Sequence, residues 1–183
     1  ATGNWHALQP APIDTADGRH PEWLPVVGIT PAHREDMDRA VAAEARLRSL
    51  SEAAESAGQD YAARQYAVLE QEVAALRLLK HGDNDGAVAA ARNAAEMERQ
   101  YLRVPSGPPK PMKPAGELYA DVLLAADRPE EAVTAYRQSL EWSPQRTPSM
   151  RGLAEAAARV GDAETATEIT DRLQSMPGIS STD

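Results

Sequence analysis

The sequence predicts an all-α fold, in which a short stack of helical hairpins follows a proline-rich arm and one additional helix. Alanine dominates the hydrophobic residues, whereas phenylalanine is absent and aromatic residues make up only 4% of the chain. Small and apolar side chains recur in steps of three and four, the spacing of one face of a helix. Glycines follow several of these stretches, as they commonly do at helix C-termini. A β-sandwich is disfavoured because β-branched and aromatic runs are missing.

Residues 1–33 are predicted to form an irregular, extended arm. The arm carries Trp5 and Trp23 and a short apolar stretch at 24–29, and side chains of this kind usually become buried against something. We expect the arm either to pack along the helices or to dock on another subunit. Five prolines interrupt any helix or central strand in this segment: Pro10, Pro12, Pro21, Pro25 and Pro31.

Three helices are predicted between the arm and the middle of the chain. The first spans about residues 31–57, with Thr30 as its cap and Pro31 at its first position, and Gly58 ends it. The second spans about residues 60–81 and is ended by Gly82. The third spans about residues 85–102, where alanines recur on one face.

A proline-rich insert divides the helical region, which we predict to extend over residues 34–176. Residues 104–114 contain five prolines in eleven positions, a composition that excludes helix and favours an extended connection. Four shorter helices follow, at about 115–126, 129–142, 148–160 and 163–176. The remaining residues, 177–183, are predicted to form a flexible tail.

The last four helices contain two copies of a 34-residue pattern. If Lys113 is position 1, the small residues Ala120 and Ala132 fall at positions 8 and 20, and Tyr136 falls at position 24. A shift of 34 residues places Ala154 and Ala166 at the same two positions. Small residues at these places let two helices cross closely, and the period is that of a tetratricopeptide hairpin.

A third copy lies before the insert. With Val68 as position 1, Ala75 falls at position 8, Gly82 at position 15 and Ala87 at position 20. Three hairpins with the same crossing residues predict a tetratricopeptide-like (TPR-like) α-solenoid with an extra N-terminal helix. A plain antiparallel helical bundle is the alternative.

Four sequence segments carry a family resemblance: A-A-E-M-E at 94–98, P-x-K-P-A-G-E-L at 111–118, L-L-A-A-D-R-P-E-E-A at 123–132 and S-M-R-G-L-A at 149–154. Over about residues 60–176 the chain resembles the C-terminal part of large bacterial TPR proteins, often exported, whose activity is unassigned. The resemblance implies a helical-repeat fold and an exported, periplasmic location, with the cytoplasm as the alternative. It supplies no catalytic residues, and the long N-terminal repeat region of such proteins is missing here.

Charge and cysteine content disfavour several classes of function. The formal net charge is −9, which argues against nucleic acid and against an anionic membrane surface, because both attract basic proteins. The absence of cysteine excludes disulfides, thiolate nucleophiles and cysteine-based zinc sites. No apolar run approaches the roughly 18 residues of a membrane span. Because the chain begins with Ala1 rather than methionine, we expect it to be a mature product or a fragment.

The sequence contains no pattern typical of an enzyme. The four histidines are scattered, and no nucleotide-binding, hydrolase or metalloprotease motif is present. Residues 14–20 lack the alternating oxygen ligands of a calcium loop. Glu130 and Glu131 open a predicted helix, where carboxylates favour the dipole. We therefore predict no catalytic residue, no cofactor and no metal site, and we expect Trp142 to pack between repeats rather than to bind a ligand.

These observations favour a non-catalytic scaffold or accessory subunit that binds another protein; the sequence does not define its oligomeric state. A detached regulatory or recruiting domain of a larger enzyme or export system is the second hypothesis, and a small-molecule or metal binder that uses the arm histidines is the third. The residues predicted to contact the partner lie in the arm and on the first helix of each hairpin: Trp5, Trp23, Glu72, Lys80, Glu117, Asp121, Arg151, Glu155 and Arg159.

Overall fold

The computed structural model describes residues 37–101 and 113–176, and in these ranges the chain forms seven α-helices and no β-strand. The predicted all-α fold is confirmed. The predicted arm, residues 104–112 of the insert and the predicted tail lie outside the described residues. The helices are α1 (Met37–Ser56), α2 (Asp60–Lys80), α3 (Asn84–Tyr101), α4 (Ala115–Ala125), α5 (Pro129–Trp142), α6 (Thr147–Val160) and α7 (Ala163–Gln174).

The helices pack as successive hairpins in two layers. Each helix contacts the next one along the chain, α2 also contacts α4, and α4 also contacts α6. Within the described part of the chain, the backbones of α3 and α5 do not approach each other closely, and neither do those of α5 and α7. Long side chains bridge both gaps, since Arg92 lies 3.9 Å from Glu131 and Arg137 donates to Thr165 at 3.0 Å. The first helices of the three predicted hairpins therefore form one continuous layer, while the backbones of the second helices are more widely spaced. The hairpin packing is confirmed, and the more specific TPR-like solenoid remains a prediction.

In the first two hairpins the small residues at positions 8 and 20 of the pattern lie in the core, whereas Ala154 and Ala166 of the third hairpin are only partly buried. Ala75, Ala87, Ala120 and Ala132 are completely excluded from solvent. A side chain of this size lets the two helix backbones of a hairpin approach closely. The core is continued by leucine and valine side chains such as Leu123 and Val73.

The turns of the three hairpins share a left-handed residue at the same place in the pattern. Position 15 is Gly82 in the first hairpin, with φ 85°, and Gly161 in the third, with φ 82°. In the second hairpin the position is occupied by Asp127, with φ 59°. Residues with a side chain rarely adopt this backbone conformation, because the Cβ atom crowds the following carbonyl. A left-handed residue at position 15 of all three hairpins agrees with the 34-residue alignment that the alanines predict.

Candidate functional site

Two of the residues predicted to contact a partner are buried. Glu72 on α2 is only 4% exposed, and Glu117 on α4 is only 1% exposed. Both face the packed interior rather than an open groove, so their carboxylates offer no surface to a partner. The prediction that they line a solvent-exposed groove is corrected on this point. Trp5 and Trp23 lie outside the described residues.

The other predicted residues lie at the surface, and several bind one another. Arg159 on α6 donates to Glu155 Oε1 at 2.7 Å, one helical turn away, and to the Leu124 carbonyl oxygen of α4 at 3.4 Å. Asp121 is partly exposed, accepts from the Tyr136 hydroxyl and pairs with Lys113. Lys80 and Arg151 are exposed. The layer formed by α2, α4 and α6 thus carries surface charges that are largely paired, and their contact with a partner remains a prediction.

The buried Glu117 carboxylate joins two neighbouring hairpins. Arg146, which precedes α6, donates from Nε to Glu117 Oε2 at 2.7 Å and from Nη2 to Oε1 at 3.0 Å. Ser149 on α6 is itself fully buried and donates its hydroxyl to the same carboxylate. A bidentate pair of this geometry satisfies a buried charge and fixes the orientation of its two partners. This cluster is structural, because each of its polar groups is used by the others.

A second carboxylate closes the junction between α3 and α4. Glu98 on α3 accepts a hydrogen bond from the Ala115 backbone N–H at 2.7 Å, and the Gly116 backbone N–H also contributes. Pro114 at the cap position of α4 provides no side-chain hydrogen bond, so Glu98 takes the place of a capping residue. Burial raises the pKa of Glu98, while the two backbone donors oppose that shift.

Glu72 lies close to this junction in an apolar setting. Burial, together with the nearby charge of Glu98, raises the pKa of Glu72 to about 8, against an ordinary value of 4.5; Lys113 opposes the shift. A carboxyl group in such a site keeps its proton at neutral pH because the charged form would lose its hydration.

This shift predicts a dependence of stability on pH. In the unfolded chain Glu72 loses its proton near pH 4.5, whereas the folded chain retains it up to about pH 8. The free energy of unfolding therefore falls as pH rises through that window, by at most about 1.4 kcal/mol per pH unit. Relative to Glu72→Gln, we expect the wild type to lose roughly 2 kcal/mol between pH 5.5 and pH 7.5 in urea denaturation. The exposed variant Glu55→Gln should follow the wild-type profile; parallel curves for wild type and Glu72→Gln would contradict this account.

A concave site in the described part of the chain lies between α3 and α5, with the start of α4 as its floor; we call it the α3–α5 groove. Its volume is about 470 Å³, which is within the range of ligand pockets in proteins. It forms where the backbones of α3 and α5 stay apart, although Arg92 of α3 lies 3.9 Å from Glu131 of α5. The residues that give it its chemical character are Arg92, Glu98, Arg99, Tyr119, Gln138 and Trp142.

Two aromatic side chains define the apolar part of the groove. Trp142, at the end of α5, is 66% exposed, so the prediction that it packs between repeats is wrong. Nothing in the described residues covers this ring. Tyr119 on the floor is held by Arg92, whose guanidinium carbon lies 5.7 Å from the ring centroid and whose Nε donates to the Tyr119 hydroxyl at 3.1 Å. The groove therefore contains the solvent-exposed indole ring of Trp142 and the phenol ring of Tyr119, whose position is held by Arg92.

The wall of α3 adds charged groups to the groove. Arg92 and Arg99 lie two helical turns apart, and Glu96 lies between them; all three are exposed. Glu98 is turned toward the backbone of α4 and is used there as the helix cap. Its raised pKa is therefore explained by burial at a helix junction and requires no catalytic role.

No protein family, curated protein or solved structure matches this chain. The resemblance to bacterial TPR proteins therefore stays a prediction. In residues 37–101 and 113–176 no helix is both long and apolar enough to cross a membrane, and the same residues contain no group of three His, Cys, Asp or Glu side chains arranged to hold a metal ion.

Proposed function

We propose that this chain is a non-catalytic protein-interaction module, a scaffold or accessory subunit that binds an extended peptide segment of another protein in the α3–α5 groove. The single observation that carries the proposal is the groove itself, an open cleft of about 470 Å³ with an uncovered tryptophan at its end. Tryptophan, tyrosine and arginine are the residues that most often dominate protein interfaces.

The opposite layer supports binding less well. Two of its predicted contact residues, Glu72 and Glu117, are buried, and Asp121, Glu155 and Arg159 are engaged with neighbouring groups of the same chain. A partner on that surface would have to displace existing ion pairs, and exposed pairs of this kind contribute little to affinity. The α3–α5 groove, in contrast, offers the exposed ring of Trp142, which a partner could cover without breaking an ion pair.

The proposal is tested by selection of peptides from a displayed random library on the wild-type protein, with counter-selection on Trp142→Ala. We expect enriched peptides whose affinity falls at least about tenfold on Trp142→Ala, the loss of a central aromatic contact. Tyr61→Ala is the matched control, since Tyr61 on α2 is also an exposed aromatic residue, at 44%, and lies outside the groove lining.

Two results would overturn the proposed function. One is that no peptide is enriched on the wild-type protein after the binders of Trp142→Ala have been removed. The other is enrichment of peptides that bind Trp142→Ala as tightly as the wild type, because such peptides would use a different surface. Trp142→Ala should retain the far-ultraviolet circular dichroism of the wild type, since the ring makes little contribution to the core.

A further inference from the structure

The α3–α5 groove contains one open aromatic side chain, Trp142, and one partly covered aromatic side chain, Tyr119. Trp142 is open to solvent at one end, and the Tyr119 ring lies on the floor with Arg92 against it. Flat aromatic faces in a shallow groove are the surface on which proline rings of an extended polyproline-type segment pack. Such a segment loses little conformational entropy on binding, because it is already extended in solution.

The polar groups around these rings include several hydrogen-bond donors beside the carboxylates of Glu96 and Glu98. Arg92 uses its Nε on the Tyr119 hydroxyl, and its terminal nitrogen Nη2 lies 3.9 Å from Glu131 Oε2. Its other terminal nitrogen, Nη1, and the Tyr119 O–H can donate to a ligand. The exposed side chains of Gln138 and Arg99 add further N–H groups, and Trp142 adds its indole N–H. A proline-containing segment is a complementary ligand, because each proline has a carbonyl acceptor and no backbone N–H.

Charge restricts the ligand further. An acidic segment would approach a chain with a formal net charge of −9 and would meet the exposed Glu96 in the groove wall. A basic segment would meet Arg92 and Arg99 on the same wall. Like charges placed together at an interface are unfavourable for either kind of ligand. A neutral segment avoids both conflicts.

From this combination we infer that the ligand of the α3–α5 groove is a neutral, proline-containing peptide segment in extended conformation. The inference rests on the proposed function and specifies its ligand. Proline rings pack on Trp142 and Tyr119, and the peptide carbonyls accept hydrogen bonds from Arg92, Gln138 and the indole N–H of Trp142.

The test is a titration of the full chain with three synthetic peptides of equal length, each acetylated and amidated. The first is octaproline, the second alternates alanine and glutamine, and the third alternates alanine and glutamate. Affinities are measured by isothermal titration calorimetry for every variant. In the wild type, the NMR signal of the Trp142 indole N–H, which is assigned with the Trp142→Phe variant, shows whether the peptide contacts the groove. We expect octaproline to bind at least about tenfold more tightly than either other peptide, and Trp142→Ala to weaken it by a similar factor.

The outcomes separate this inference from the proposed function. Octaproline affinity should be unchanged on Tyr61→Ala, and a matching loss on that variant would show that the groove is not the binding site. If octaproline binds no better than the alanine–glutamine peptide, the inference is wrong. In that case the proposed function still stands if the displayed library yields proline-free peptides that depend on Trp142, and falls if it yields none.

Discussion

Truncation of Tyr136 to alanine is expected to lower the free energy of unfolding by about 3–5 kcal/mol, the range for emptying a large aromatic site in a core. The ring is only 1% exposed, and its hydroxyl donates to Asp121 on α4. Burial, together with this hydrogen bond, raises the pKa of the phenol, so the group remains a neutral donor at neutral pH. Urea denaturation followed by circular dichroism measures the loss. A change below about 1 kcal/mol would mean that the ring does not fill the core of the second hairpin.

The same ring explains why α6 carries a glycine. A Cβ atom on Gly152 would lie 2.2 Å from Tyr136 Cζ and 2.4 Å from Cε1 and Oη. Gly152→Ala should therefore cost roughly 1–3 kcal/mol, although alanine normally favours a helix over glycine by about 1 kcal/mol.

A double-mutant cycle separates these two effects. In the Tyr136→Ala background the added methyl group no longer meets the Tyr136 ring, which supplies its three nearest atoms, so Gly152→Ala should become neutral or stabilising. Gly116→Ala is the control, because the nearest atom to its Cβ position is 3.9 Å away. Additive effects of Tyr136→Ala and Gly152→Ala would show that these two positions are not in contact.

The helices could be predicted from the sequence because their signals are local. Alanines at positions 8 and 20 and glycines at position 15 determine where the hairpins cross and turn, and both kinds of residue lie within one hairpin. Asp127 stands at the same position 15 and has the same left-handed backbone as Gly82 and Gly161, although its residue type gave no signal of it. The burial of Glu72 had a local signal too. Glu72 follows Leu69 by three residues and precedes Leu76 by four, so it lies on the apolar face of α2.

The groove and the buried ion pair had no such signal. The exposure of Trp142 depends on the separation of α3 from α5, which is set by how both helices pack on α4. Helical periodicity assigns a face to Trp142 but does not reveal whether another helix covers that face. Likewise, Glu117 and Arg146 are separated by 29 residues, and an acidic residue near a helix start is ordinarily explained by the dipole alone. Sequence reasoning therefore placed Glu117 on a surface that it does not reach.

Removal of the Arg146 side chain is expected to cost roughly 3–5 kcal/mol of unfolding free energy, because it leaves the Glu117 carboxylate buried without its cation. Only the Ser149 hydroxyl would remain to satisfy that charge. Glu117 lies on α4, whereas Arg146 and Ser149 belong to the following hairpin. Removal of the Arg146 side chain should therefore weaken the junction between the second and third hairpins. We expect a lower midpoint of urea denaturation and faster hydrogen exchange of the backbone amides in α6 and α7.

Arg137→Ala is the matched control for Arg146→Ala. Arg137 also bonds across to the third hairpin, at 3.0 Å from Thr165 Oγ1, but its side chain is 56% exposed, so its removal should cost less than about 1 kcal/mol. The decisive comparison uses Glu117→Gln as a background, in which no buried charge requires Arg146. There Arg146→Ala should cost clearly less than in the wild type, because a neutral amide needs no counter-charge. Equal costs in the two backgrounds would mean that the stability of the junction comes from the packing of the Arg146 side chain and not from its charge.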